Sequence, residues 1–200
     1  MQTKVSVALV GAGYWGKKLL PKFVQSAESL VKAVCDIHPA HRAEINQTYP
    51  DIPTTTSFDD ILSDPDIAAV ILATPLATHF SLARKAIEAG KHIWIEKPLA
   101  LRVKEGRKLV GLSQSRGTAL FVDHTFLYDP AIRKIRNLVT DGELGRFIIF
   151  IHSVLIWAGS SAIPMYGGIL RRTMCLFCCT FWKARRGASL YTGIVTCNRI

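Results

Sequence analysis

The sequence predicts an α/β fold, a doubly wound parallel sheet that is followed by the start of a second domain. Apolar runs typical of buried strands alternate with segments typical of amphipathic helices between residues 5 and 122. The first apolar run ends in a glycine-rich turn at 11–16, Gly-Ala-Gly-Tyr-Trp-Gly, and the second ends in Asp36. A strand that leads through such a turn directly into a helix is typical of sheets that bind nucleotides.

Strands and helices are expected to alternate along the first 122 residues. The predicted strands are 7–10, 31–35, 54–57, 67–73, 92–95 and 119–122. The predicted helices are 16–26, 41–47, 59–62, 79–89 and 103–115. Pro21 is placed early enough in the first helix to be tolerated, and Gly90 caps the fourth. Because right-handed crossovers bring the carboxyl ends of parallel strands to one edge, the glycine turn should share that edge with Thr74, Pro75 and residues 96–98.

Each glycine of the turn at 11–16 has a separate physical reason. Gly11 permits the tight turn after the strand, Gly13 lets the backbone approach a pyrophosphate, and Gly16 lets helix and strand pack closely. Backbone N–H groups at the start of the helix then face the phosphates. Alone, this pattern also fits an ordinary glycine-rich turn.

Asp36 strengthens the interpretation as a dinucleotide site because it follows Gly16 by 20 residues and ends the second strand. Its carboxylate can accept hydrogen bonds from both adenosine ribose hydroxyls, and it would repel a 2′-phosphate. We therefore predict NAD as the cofactor, with NADP as the less favoured alternative because Arg42 is close in sequence.

Charge and cysteine are distributed unevenly. All 15 acidic residues lie in 1–150, whereas 151–200 hold six Lys or Arg, no acid and four of the five cysteines. In 1–150 the basic excess is small and interspersed with acids, which favours a solvated surface over a nucleic-acid or membrane partner. Without a signal-peptide pattern, and with Cys35 as the one cysteine of 1–150, a cytoplasmic protein is expected.

A second domain is expected to begin at residue 123 and to run to 154. It opens with His-Thr-Phe-Leu-Tyr at 124–128, followed by a predicted helix at 131–139 and a strand at 146–154. No group of metal ligands with a recognisable spacing appears in 1–154, so no metal is predicted.

The chain resembles the glucose-fructose oxidoreductase / inositol dehydrogenase (Gfo/Idh/MocA) family over residues 4 to about 154. The matching motifs are the glycine turn, Asp36, Ala-Thr-Pro at 73–75 with Thr78 and His79, Glu-Lys-Pro-Leu-Ala at 96–100, and Gly-Glu-Leu-Gly at 142–145. The resemblance implies a Rossmann NAD(P)-binding domain at 1–122 and an α+β substrate domain that starts at 123. It also implies an oxidoreductase acting on a sugar or nucleotide-sugar hydroxyl, and a homo-oligomer for a full-length member.

The resemblance assigns roles to individual residues. The implied cofactor contacts are Gly11, Gly13, Tyr14, Trp15, Gly16, Asp36, Thr74, Pro75, His79, Glu96, Lys97 and Pro98. Lys97 is the implied catalytic residue, because an ammonium aimed at the developing alkoxide stabilises the transition state. The plain alternative is a surface lysine paired with Glu96. The Lys97–Pro98 bond is a candidate cis peptide. His124 and Tyr128 are candidate substrate contacts. His79 and His124 could each contact the substrate or relay a proton, but a lone histidine is more often a structural residue whose ring bonds are satisfied within the fold.

Family members carry a proton-exchanging histidine in a Trp-Asp-Leu-Ala-Pro-His-Asp type element of the second domain, and this chain as written has none. A codon reading shifted by one base over 164–182 permits that element under the standard genetic code. We therefore interpret 155–200 as an out-of-frame tail without a specific fold, which predicts an inactive chain.

Two other interpretations of the same region remain open. Residues 147–170 are apolar enough to suggest a membrane span, which would make the chain a membrane-anchored binding protein. Cys175, Cys178 and Cys179 could form half of a metal site. The alternative from another functional class is a dinucleotide-binding remnant, which would bind the cofactor but have no turnover.

Overall fold

The computed structural model describes residues 4–143, in which six parallel strands form one sheet with the order β3-β2-β1-β4-β5-β6. The strands are β1 (Val5–Val10), β2 (Ser29–Cys35), β3 (Thr54–Thr55), β4 (Ala69–Leu72), β5 (His92–Glu96) and β6 (Leu120–Asp123). This is a doubly wound Rossmann sheet, so the predicted fold class is confirmed. The strand order reverses between β1 and β4, and ligands of such sheets bind beyond the carboxyl ends at that point.

Five helices connect the strands, each at a predicted position. They are α1 (Tyr14–Gln25), α2 (Pro39–Thr48), α3 (Phe58–Ser63), α4 (Leu76–Glu88) and α5 (Val103–Arg116). The first helix tolerates Pro21, as predicted, but not because the proline is early: α1 begins at Tyr14 and Pro21 is its eighth residue. An interior proline has no N–H for the carbonyl four residues earlier, so α1 lacks one ladder hydrogen bond at this turn.

The sheet is buried on both faces, as the apolar runs predict. Val70 and Ile71 in β4 are adjacent and fully buried, yet they belong to two different core clusters. Leu9 in β1 and Leu20 in α1 share the second cluster. Because side chains alternate across a strand, one cluster lies on each face of the sheet. The layers hold the carboxyl ends of β1, β4 and β5 next to one another.

One compact unit runs to Asp123 and a second begins at His124. In the second, a 3-10 helix (Thr125–Leu127) precedes α6 (Pro130–Thr140), and Asp129 caps α6 by accepting the backbone N–H of Ala131 at 2.8 Å. The 3-10 helix was not predicted.

Four predicted features lie outside the described residues: the strand at 146–154, the tail at 155–200, the suggested span at 147–170 and the three tail cysteines. Within 4–143, no helix has the length and apolarity that crossing a membrane requires.

Candidate dinucleotide site at the carboxyl edge of the sheet

The glycine turn connects β1 to α1 in a conformation that two of its glycines make possible. Gly11 has a φ of 92°, in the left-handed region, and a Cβ there would lie 2.8 Å from the carbonyl oxygen of Ala73. A Cβ on Gly16 would lie 1.8 Å from the carbonyl oxygen of Gly11. The tight turn and the close packing that the sequence predicts at these two positions are both present.

Gly13 differs from the other two glycines because the folded chain leaves room beside it. Its backbone is extended, and an added Cβ would meet only the ring of His41, at 4.0 Å. It is the N-cap of α1 and, as a glycine, it has no side chain that could cap the helix. The backbone N–H groups there are therefore available to an anion.

Asp36 joins the end of β2 to the glycine turn. Its Oδ2 accepts the backbone N–H of Ala12 at 2.6 Å, and its Oδ1 accepts that of His38 at 2.7 Å. Nδ1 of His41 lies 3.1 Å from Oδ2. Burial opposes ionisation, but these hydrogen bonds from His38, Ala12 and His41 hold the pKa of Asp36 below its usual value. The carboxylate is therefore charged at neutral pH, and its remaining lone pairs can accept ribose hydroxyls.

Basic side chains lie around Asp36. Nη1 of Arg42 donates to the backbone oxygen of Asp36 at 2.7 Å, and the rings of His38 and His41 meet edge to face. Arg42, whose place in the sequence left NADP open, is thus held beside Asp36.

Thr74 and Pro75 lead from β4 into α4, and Pro75 is the N-cap of that helix. The hydroxyl of Thr78 lies 2.8 Å from the Thr74 hydroxyl and donates to the Pro75 carbonyl at 2.7 Å. The methyl group of Thr74 is close to the glycine turn, at 2.9 Å from the place where a Gly11 Cβ would be. These contacts keep the end of β4 beside the turn.

His79 lies behind these loops and not on their surface. Its side chain is 2% exposed, with Nε2 at 2.9 Å from the Thr74 carbonyl oxygen and Nδ1 at 2.9 Å from the Pro98 carbonyl oxygen. A buried ring with both nitrogens engaged cannot reach a cofactor without leaving these partners. The structure therefore does not fit the expected direct contact between His79 and the cofactor.

Lys97 follows β5, and the Lys97–Pro98 peptide bond is cis, as predicted. The lysine is exposed, whereas Glu96 is buried and uses Oε2 to accept the backbone N–H of Lys97 at 3.1 Å. Asp123 pairs with Glu96 across β5 and β6. Burial and the Asp123 charge raise the pKa of Glu96, and burial raises that of Asp123, while the Lys97 ammonium lowers both. Asp123 was not predicted as part of the site, although its place at the end of a strand was a usable signal.

Replacing Glu96 by glutamine should raise the free energy of unfolding at pH 7, by on the order of 1 kcal/mol. The folded-state pKa of Glu96 lies above the unfolded value, so its charged form costs stability at neutral pH. The gain from Glu96→Gln should shrink as the pH falls through the raised folded-state pKa. Urea unfolding at pH 7 and pH 4 measures both effects. A gain that grew on acidification would contradict this assignment, and Glu88→Gln, on an exposed helix face, is the control.

Tyr14 and Trp15 occupy the two positions before Gly16 and are 70% and 48% exposed. Their rings meet edge to face, and Nζ of Lys18 lies 4.1 Å from the Tyr14 ring centre and 5.2 Å from that of Trp15. Lys18 was not singled out from the sequence. The three side chains form an amphipathic surface at the N-terminal end of α1.

His124 and Tyr128 belong to the second compact unit. Burial lowers the pKa of His124, and Tyr128 is 53% exposed, with the Arg133 guanidinium 5.9 Å from its ring centre. That His124 and Tyr128 contact the substrate remains a prediction. Among residues 4–143, no three His, Cys, Asp or Glu side chains are grouped closely enough to hold a metal ion.

Comparison with known proteins gives one consistent family. Residues 5–124 match the Gfo/Idh/MocA oxidoreductase family, NAD-binding Rossmann fold. The uncharacterized oxidoreductase YrbE of Bacillus subtilis is 29% identical over 72% of this chain and 42% of its own length. Levoglucosan dehydrogenase of Pseudarthrobacter phenanthrenivorans is 30% identical over 80% of this chain and 44% of its own.

A solved structure agrees with the sequence comparison. GenD2 from gentamicin A biosynthesis, in complex with NAD, superposes with a TM-score of 0.67 and 28% identity, over 70% of this chain and 40% of that one. The chain therefore spans about two fifths of the length of the relatives that it matches. Since the family match includes the glycine turn, Asp36 and the Glu-Lys-Pro segment, this chain belongs to the Gfo/Idh/MocA family of oxidoreductases.

Proposed function

We propose that residues 4–123 bind NAD as the cofactor domain of an oxidoreductase for a sugar or nucleotide-sugar hydroxyl. The observation that carries the proposal is the bond from Ala12 N–H to Oδ2 of Asp36 at 2.6 Å. This bond fixes the ionised Asp36 carboxylate directly beside the glycine turn and the start of α1. The carboxylate suits a ribose diol, and the backbone N–H groups at the start of the helix suit a pyrophosphate.

The proposed orientation of NAD follows from the strand order. Gly13 and the first turn of α1 would hold the pyrophosphate, and Asp36 at the end of β2 would hold the adenosine ribose. Lys97 at the end of β5 would then be the residue for the nicotinamide half, since β1, β4 and β5 are neighbours in the sheet. Thr74, Pro75, Glu96 and Pro98 would contribute to the same cofactor site, and so would Tyr14 and Trp15.

Lys97 is proposed as the catalytic residue. NAD, when bound, supplies the hydride acceptor, and the protein has to stabilise the negative charge that develops on the sugar oxygen. The ammonium of Lys97 suits this task because it is exposed at the carboxyl edge. Glu96 and Asp123 lie close enough to Lys97 for their charges to interact with it. The levoglucosan dehydrogenase relative supports a sugar as the substrate class.

Replacing Asp36 by alanine should weaken NAD binding by about tenfold and change NADP binding much less, because NAD loses its ribose acceptor while the 2′-phosphate loses a repulsive charge. Titration of the variant with NADH and NADPH, followed by cofactor fluorescence, gives the two dissociation constants. Their ratio is the readout, since a loss of stability would weaken both cofactors equally.

Asp66→Ala is the matched control, because Asp66 is an exposed acid that pairs only loosely with Lys32, at 3.5 Å. Its ratio should equal that of the parent chain. If the ratio of the NADH and NADPH dissociation constants is unchanged in Asp36→Ala, Asp36 does not bind the ribose. Arg42 and its neighbours would then favour NADP as the cofactor.

A second candidate concerns the 200-residue chain itself. The shifted codon reading over 164–182 favours a chain that binds the cofactor but has no turnover, since the histidine element of the family appears only in the other frame. We propose such a non-catalytic dinucleotide-binding chain, with 123–154 as the start of the substrate domain.

A further inference from the structure

We propose that His79 is a positioning residue that fixes the backbone beside the cofactor and the backbone beside Lys97 to each other. The proposal rests on the proposed function of the site and adds a residue that acts on it from beneath. His79 is on α4, which follows β4, and its two ring nitrogens contact backbone from different segments of the carboxyl edge.

The first contact holds the cofactor side. Nε2 is 2.9 Å from the carbonyl oxygen of Thr74. The methyl group of Thr74 in turn lies 2.9 Å from the Cβ position of Gly11. A shift of the His79 ring would therefore move the segment against which the glycine turn packs.

The second contact holds the lysine side. Nδ1 is 2.9 Å from the carbonyl oxygen of Pro98, the residue directly after Lys97. On its other side, Lys97 is fixed by its own N–H, which Glu96 accepts at 3.1 Å. Two hydrogen bonds thus hold the backbone around an otherwise exposed lysine, one from the buried acid and one from the buried imidazole.

Both partners of the His79 ring are carbonyl oxygens, which only accept hydrogen bonds, and which of the two ring nitrogens donates depends on the tautomer.

Amide side chains separate the two contacts. In His79→Asn the amide nitrogen takes the place of Nδ1 and can still donate to Pro98, whereas in His79→Gln it takes the place of Nε2 and can still donate to Thr74. His79→Leu removes both contacts. If His79 were only a core-filling residue, the Asn and Gln variants would not differ in a contact-specific way.

The experiment measures NAD dissociation constants of the 200-residue chain for the His79 variants, each with and without Lys97→Ala. We expect His79→Asn to keep the effect of Lys97→Ala that the parent shows, and His79→Gln to lose it, because Lys97 is already displaced when its Pro98 bond is missing. A single loss of about tenfold in His79→Gln, with no further loss in the double variant, is the expected pattern.

Circular dichroism establishes which variants are folded, independently of NAD affinity. Additive effects of His79→Gln and Lys97→Ala in folded variants would overturn the inference. A parent chain that failed to bind NAD would instead overturn the proposed function, and the inference with it.

Discussion

Gly16→Ala is expected to destabilise the first domain by about 3 kcal/mol, which lowers its melting temperature by roughly 10 °C. A Cβ at this position would lie 1.8 Å from the backbone oxygen of Gly11, and backbone cannot turn away as a flexible side chain can. Either α1 or the glycine turn has to move, and NAD binding should be lost with the turn geometry. Thermal unfolding monitored by circular dichroism measures the change.

Gly111→Ala is the matched control for this prediction. Gly111 is an exposed residue inside α5, and nothing lies within 4 Å of an added Cβ. The same substitution there should raise stability by roughly 0.5–1 kcal/mol, because alanine is the better helix former. A Gly16→Ala protein as stable as the parent would show that α1 and the turn do not pack as described.

The chain as written should show no measurable NAD reduction with sugars or nucleotide sugars, whereas a version with the reading frame restored after residue 154 should turn over. The residues proposed to bind NAD lie within 4–123 and are common to both proteins. The restored chain adds the histidine element, and a positioned proton-transfer group contributes roughly 10² to 10⁴ in rate. Substrate positioning by the second domain adds to this factor.

Both proteins should be purified and assayed side by side, with Lys97→Ala in the restored chain as the control for the catalytic assignment. The variant should lose turnover even at NAD concentrations high enough to saturate its weakened cofactor site. Comparable turnover of the two parent proteins would contradict both the inactivity of this chain and the frame interpretation. An uninterrupted frame at codons 150–165, confirmed by resequencing the locus, would contradict the frame interpretation by itself.

Much of the sheet was predictable because its signals are local. Where strands and helices alternate along the chain, a short and fully apolar run such as Val70-Ile71-Leu72 indicates a strand that is buried on both faces. The carboxyl ends of parallel strands then share one edge of the sheet. The glycine turn was predictable for the same reason: a left-handed φ at Gly11 and a backbone contact at Gly16 each exclude a side chain.

The contacts that hold the site were harder to predict because they depend on tertiary neighbours. The spacing between His79 and Pro98 gives no indication that the imidazole bonds to that carbonyl, since the contact exists only once α4 packs under the end of β5. Asp123 likewise becomes a neighbour of Glu96 through the pairing of β5 with β6. Local preference also gave the wrong reason for the tolerance of Pro21, because packing of α1 on the sheet outweighs one missing hydrogen bond inside the helix.

Calorimetric titration of NAD into the parent chain and into Gly13→Ala tests whether the turn between β1 and α1 holds the pyrophosphate of NAD. An alanine at 13 fits the folded chain, where the nearest atom is 4.0 Å from its Cβ, so unfolding should be unchanged. The same methyl group occupies the space through which the backbone approaches the pyrophosphate. We predict that the parent binds NAD and that Gly13→Ala, equally stable, binds it at least about tenfold more weakly. Equal affinity in the two proteins, or no binding by the parent, would contradict a pyrophosphate site at this turn.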